Sequence, residues 1–414
     1  MRMTEEQFAK FKKALRHAAE HSPFYRELYK EKGIEPGDIR TQEDIKKLPT
    51  TDKYDLRRVY PLGIQAVPDE EVVRIHSSSG TTGQPVIIPY TENDVETWGM
   101  MMARCMQVAG VTKKDRVQIT PGYGLWTAGI GFQRGAEKLG AMAIPMGPGN
   151  TEKQIKFLVD LQSTVLCATS SYALLLAEEI THRGLKDKIK LKRGIVGSER
   201  WGSKMRNRII GELGIDIYDI YGLTEIYGPG ISVSCSEHNG LHYWNDQLYF
   251  EIIDPETGEL LPDGELGELT ITTLTKEGAP LIRYRTHDLT RLLPGECPCG
   301  LKYPRHDIIL GRTDDMIKIK AVNIYPGQIE DVLKEVAEVS SEYQVVLDRG
   351  ADYKDFMLLR VECTPGIERT VVEKAVKKYF KSRIGIAIEV EALPLGALPR
   401  SEKKTARVID KRYC

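Results

Sequence analysis

This chain has few cysteines, no long apolar run and no excess of either charge, and each absence narrows what it can be. Seven cysteines in 414 residues cannot staple a disulfide scaffold, and their odd number implies mostly free thiols. Lys and Arg total 58 against 59 Asp and Glu, leaving a net charge of −1, which argues against a general polyanion binder or a polybasic membrane protein. No stretch approaches the roughly 20 apolar residues that a bilayer span needs. The opening segment carries Phe8, Phe11 and Leu15 at helical spacing and lacks the apolar core of a signal peptide, so a cytosolic protein is expected. The G-x-x-x-x-G-K-[ST] phosphate loop is missing too.

What is present is a chain 41% hydrophobic and 28% charged, the balance of a folded globular protein. Short apolar runs at 117–120, 141–145, 163–170 and 193–198 alternate with helical patterns at 151–162 and 171–184. That alternation predicts a parallel α/β sheet. From about residue 245 strand-rich segments separated by PETG, PDGE and KEGAP turns predict an attached antiparallel section. The last hundred or so residues read as a small α+β unit, with the boundary near 311–320. The expected architecture is a large α/β body over 1–312 and a small C-terminal cap over 313–414.

The most informative stretch is His76-Ser77-Ser78-Ser79-Gly80-Thr81-Thr82-Gly83-Gln84-Pro85. Small hydroxyl and glycine residues after a strand can wrap N–H groups and hydroxyls around phosphate oxygens. Taken alone, a flexible surface loop is an equally good reading. Four further motifs follow in order: Tyr221-Gly222-Leu223-Thr224-Glu225, Tyr284-Arg285-Thr286-His287-Asp288, Gly311-Arg312-Thr313-Asp314-Asp315 and Leu398-Pro399-Arg400-Ser401-Glu402-Lys403-Lys404. This ordered set resembles the adenylate-forming acyl-CoA synthetase superfamily. The segments GYGLWTAG (122–129), DIYGLTE and ARVID bring it nearest to phenylacetate-CoA ligases, and the resemblance covers essentially the whole chain.

The resemblance implies an ATP-dependent, AMP-forming ligase that adenylates an aromatic or arylacetic acid and passes the acyl group to coenzyme A as co-substrate. It implies that Ser78, Gly80, Thr81, Thr82 and Gly83 cradle phosphates, with Gln84 where a lysine is common. Glu225 would hold the Mg²⁺ that accompanies ATP, Thr224 would meet the α-phosphate, and Tyr221 would lie against adenine beside Gly222. Gly197, Ser198 and Glu199 match an adenine-side turn, with Arg200 replacing a proline. Asp288 would receive the ribose hydroxyls, with Arg312 near the same nucleotide. Lys404 is the candidate catalytic lysine, with Lys403 as the fallback, and Asp314 sits at the hinge on which the cap pivots. Tyr123, Trp126, Ala128 and Gly129 match the acid pocket, although aromatics at such positions are equally at home in a core. A homodimer, small-molecule substrates only, and no nucleic acid or membrane partner complete the expectation.

Cys235, Cys297 and Cys299 with His242 suit a closed four-coordinate Zn²⁺ site, with His238 as the alternative histidine. The tight Cys-x-Cys pair also allows free thiols. Two other readings of the whole chain remain: an adenylyltransferase acting on a deazaflavin, and a non-catalytic adenylate-binding protein.

Overall fold

The computed structural model describes residues 2–78, 84–199, 201–319, 322–349, 355–400 and 407–412. Its centre is a nine-stranded sheet that changes character at one strand. On one side of strand Asp216–Leu223 the neighbours Arg193–Gly197, Val165–Thr169, Arg116–Ile119 and Met142–Pro145 are all parallel. On the other side Gly228–Ser234, Leu241–Tyr243, Arg305–His306 and Leu292–Leu293 are antiparallel. The parallel strands are the apolar runs expected from the sequence, and the helices Thr151–Asp160 and Ser170–His182 fall in the predicted places. A second sheet orders Leu248–Ile253, Gly267–Thr273, Tyr284–Thr290 and Gly311–Arg312 antiparallel.

Two amphipathic helices lead into the body. The first, Glu5–His21, starts at a Thr4 capping box with Gln7 and buries Phe11 and Leu15 completely. Its apolar stripe packs into a core built on aromatics, among them Tyr25, Trp98 and Trp244. The two indoles cannot be buried with an idle N–H, and each finds a carbonyl: Trp98 donates to Pro229 and Trp244 to Gly230.

A separate apolar core begins at Ile317 and runs through Phe380 to Ala392. Here strands Glu389–Pro394, Asp355–Cys363, Val339–Arg349 and Val408–Asp410 form one sheet, packed by helices Pro326–Lys334 and Arg369–Ile384. The mixed α/β class read from the sequence is the class found.

The strand-rich run PLIRYRTHDLTRLL holds two strands, Tyr284–Thr290 and Leu292–Leu293. Just before them Arg283 sits in the left-handed region at φ 48°, and its buried guanidinium donates to Glu251 and the Leu48 carbonyl, the partners a buried cation needs.

Candidate functional site

The parallel strands deliver their carboxyl ends to one face of the sheet, the usual place for a ligand crevice in open α/β sheets. Gly197-Ser198-Glu199 ends one of them, Thr224-Glu225 follows the junction strand, and Tyr123 and Trp126 follow a third. Glycine is required at the two closest approaches. A Cβ on Gly197 would lie 2.1 Å from the Ile220 carbonyl oxygen, and one on Gly222 would lie 1.9 Å from that of Gly228.

Asp288 and Arg312 pair directly across antiparallel strands. Arg312 Nη1 donates to Asp288 Oδ1 at 2.7 Å, and the Tyr221 hydroxyl donates to Oδ2 at 2.6 Å. A carboxylate accepts about four hydrogen bonds, so Asp288 keeps capacity for further donors. Burial pushes its carboxyl up, and Arg312 and Tyr221 pull against that. Arg312 also donates through Nε and Nη2 to both oxygens of Asp314, at 2.8 and 2.9 Å. Lys53 reaches Asp314 from the body at 2.5 Å. Burial opposes ionisation of Asp314, yet Arg312 and Lys53 prevail and hold its carboxyl at about 2.

Burial likewise raises the Glu225 carboxyl, offset by the charges of Arg312 and Lys53. Its oxygens are the hard donor type that Mg²⁺ takes. Thr224 lies beside Thr127, with their hydroxyl oxygens 3.4 Å apart, so the start of helix Thr127–Leu139 abuts the turn. The Glu199 carboxylate turns inward. Its Oε2 accepts from Ser170 Oγ at 3.1 Å and from the Ser171 main chain at 3.0 Å, at the start of helix Ser170–His182. Exposed at the surface of that turn is Ser198, at φ 70°.

Ser78 closes the base of the phosphate-loop segment: its N–H donates to the Val86 carbonyl and its hydroxyl accepts from the Val86 N–H. Gly80, Thr81, Thr82, Gly83, Lys403 and Lys404 lie outside the described residues. Gly129 is packed so that a Cβ would sit 2.6 Å from the Tyr123 ring, and Ala128 is half-buried. Trp126 is not a core residue. It is 53% exposed beside exposed Leu125, with its ring laid against Gly122.

The four cluster residues converge on one point. Cys235 and Cys297 sulfurs are 3.7 Å apart, Cys299 Sγ is 3.3 Å from His242 Nε2, and all four ligand atoms lie within 4.8 Å of one another. Zn–S bonds of about 2.3 Å in a tetrahedron separate sulfurs by about 3.8 Å, so the donor set fits zinc. His242 donates from Nδ1 to the Tyr303 carbonyl at 2.7 Å, which turns Nε2 toward the thiols. The alternative His238 is not in the cluster and packs against Tyr218 instead.

Residues 12–274 match a family model described as AMP-binding enzyme, and residues 321–412 match the AMP-binding enzyme C-terminal domain. A phenylacetate-coenzyme A ligase of Pseudomonas putida is 44% identical, over 99% of this chain and 94% of that protein. This chain belongs to the phenylacetate-CoA ligase family. A solved 2-hydroxyisobutyryl-CoA ligase, 28% identical, covers 98% of the chain and 89% of its own. In its postadenylation state with 2-HIB-AMP it superposes with a TM-score of 0.90. The same ligase with CoA in its thioesterification state, also 28% identical over 98% of this chain and 89% of its own, superposes at 0.71.

Within this family site, sequence reasoning missed Lys53, Thr127 and Lys276. Lys276 is only 1% exposed and donates to the Glu225 and Ile226 carbonyls, with the rings of Tyr90 and Tyr227 beside its ammonium. It fixes the main chain that carries Thr224 and Glu225. Its one sequence signal is a lone lysine between the apolar runs TITTLT and APLI.

Burial draws the Lys276 ammonium down from 10.5 to about 7. Between those values the unfolded chain holds a proton that the folded chain has released, so stability should climb with pH. Lys276→Met should remove that climb, about 2 kcal/mol between pH 7 and 9. Urea unfolding at both pH values measures it, and an equal climb in both proteins would refute the assignment.

Proposed function

We propose that this protein joins an aromatic or arylacetic acid to coenzyme A through an acyl adenylate, using ATP as its magnesium complex. The observation that carries this reading is the convergence of Thr224, Glu225, Tyr221, Asp288 and Arg312 at the carboxyl end of the junction strand, within a family of acid–CoA ligases.

The chemistry has two parts. A carboxylate oxygen of the acid attacks the α-phosphorus of ATP, and the bond to the bridging oxygen breaks as pyrophosphate leaves. The coenzyme A thiolate then attacks the carbonyl carbon, and AMP departs with the oxygen that had linked it. A carboxylate and a triphosphate repel each other, so the protein's work is to hold them in line and neutralise charge as it develops.

Asp288 accepts the ribose hydroxyls with its remaining lone pairs, held in place by Tyr221 and Arg312. Glu225 supplies an oxygen to the magnesium carried in with ATP, and Thr224 contacts the α-phosphate. Gly80, Thr81, Thr82 and Gly83, on the loop closed at its base by Ser78, cradle the outer phosphates. With Gln84 in place of a lysine, more of the neutralisation falls to magnesium and Lys404. Tyr123, Ala128 and Gly129 line the acid pocket, and exposed Trp126 stands at its mouth. The cap, residues 313–414, pivots at Asp314 to alternate the two half-reactions. Cys235, His242, Cys297 and Cys299 would hold a structural zinc, because three thiolates and an imidazole would complete its coordination.

Screening aromatic and short aliphatic acids should reveal coenzyme A-dependent AMP formation with at least one aromatic acid. AMP transfer to a deazaflavin, or no acid-dependent pyrophosphate exchange, would overturn the reading. Asp314→Pro should leave adenylation intact and slow thioester formation in single-turnover assays; equal loss of both would exclude a hinge there. Cys297→Ser should lose the zinc that the wild type retains through dialysis, and unchanged metal content would remove the assignment.

A further inference from the structure

Arg400 lies in the cap, four residues before Lys404, and the body holds it through one side chain. All five of its N–H donors are engaged. Nε and Nη2 donate to the two oxygens of Glu178 at 3.1 and 2.9 Å. Nη1 and Nη2 donate to the two oxygens of Glu362 at 2.9 Å each, and Nη1 also donates to the Leu398 carbonyl at 3.2 Å. A guanidinium saturated by two carboxylates has no freedom of orientation left.

The two carboxylates belong to different units. Glu362 is on the cap strand Asp355–Cys363, fully buried, and accepts the Leu398 N–H as well. Glu178 is on the body helix Ser170–His182 and is also paired with Arg208 of the body at 2.7 Å. A second body-to-cap contact lies nearby, where Lys204 donates to the Val336 and Val339 carbonyls, both at 2.6 Å.

We infer that Glu178 is a positioning residue for the adenylation half-reaction, acting through Arg400 on the segment that carries Lys404. The inference rests on the cap alternation proposed above. The chain's pose superposes better on its relative's postadenylation structure than on the thioesterification structure, so this contact belongs to the first half of the cycle.

The arrangement is built to let go. When the cap swings, Arg400 keeps Glu362 and Glu178 keeps Arg208, so neither charge is stranded. An ion pair that left an unpaired buried charge on opening would lock the cap instead. The body-side end of the latch also sits on the helix whose first turn donates to Glu199, next to the candidate adenine turn. One helix therefore runs from the nucleotide side to the cap contact.

Glu178→Gln keeps the shape and removes the charge. It should lower acid-dependent pyrophosphate exchange roughly tenfold, by shifting the pose equilibrium, and leave thioester formation from preformed acyl adenylate unchanged or faster. Equal loss of both half-reactions would show a merely structural role and overturn the inference. Small-angle scattering gives a readout independent of activity: the wild type should fit this pose and Glu178→Gln should depart from it. Superimposable profiles would overturn the latch even if the wild type adenylated no acid, a result that would by itself sink only the proposed activity.

Discussion

The ion pair between Asp288 and Arg312 is the constraint around which the rest of the site is arranged. A carboxylate so deeply buried must be paired, and its partner is the residue directly opposite in the register of the adjoining strand. Because Arg312 also grips Asp314, one guanidinium ties this sheet to the stretch that leads into the second core at Ile317. Tyr221 extends the same network to the central sheet through its hydroxyl. Tyr221, Asp288, Arg312 and Asp314 are thus linked by an unbroken run of direct hydrogen bonds.

The second organising fact is that the central sheet reverses its strand direction beside Asp216–Leu223. Parallel strands send all their carboxyl ends to one side, which gathers residues from distant parts of the sequence to one rim of the sheet. The antiparallel half contributes differently. It turns back on itself in short strands, and that return brings Cys297 and Cys299 alongside Cys235 and His242. One sheet therefore supports both the rim that carries the candidate site residues and the Cys/His cluster, each built by the connection type that half permits.

Much of this architecture is legible in the amino-acid sequence. Parallel strands are apolar on both faces, so their runs stand out, and each motif is a short contiguous stretch at a strand or its end, so its residues can be read side by side. What stays hidden depends on contacts between distant positions. Glu178 and Arg400 are 222 residues apart, and neither has a local pattern that predicts the other. Lys276 looks like any surface lysine until two tyrosine faces and two carbonyls are seen around it. Sequence leaves the choice between His238 and His242 open because both fall within a few residues of Cys235; strand pairing with Arg305 and the hydrogen bond to the Tyr303 carbonyl place His242 at the cysteines. Trp126 defies the habit of placing aromatics in cores, since it stands just before the first residue of a helix, at the surface rather than on a buried face.

The ends of the central sheet have a consequence for how copies of this protein can meet. One edge is the two-residue strand Leu292–Leu293, and the other is the four-residue strand Met142–Pro145, whose last residue has no N–H to offer. Edges this short give an incoming strand almost no ladder to extend. The central sheet is thereby closed to growth by strand addition at either side, and any contact made there must come from side chains.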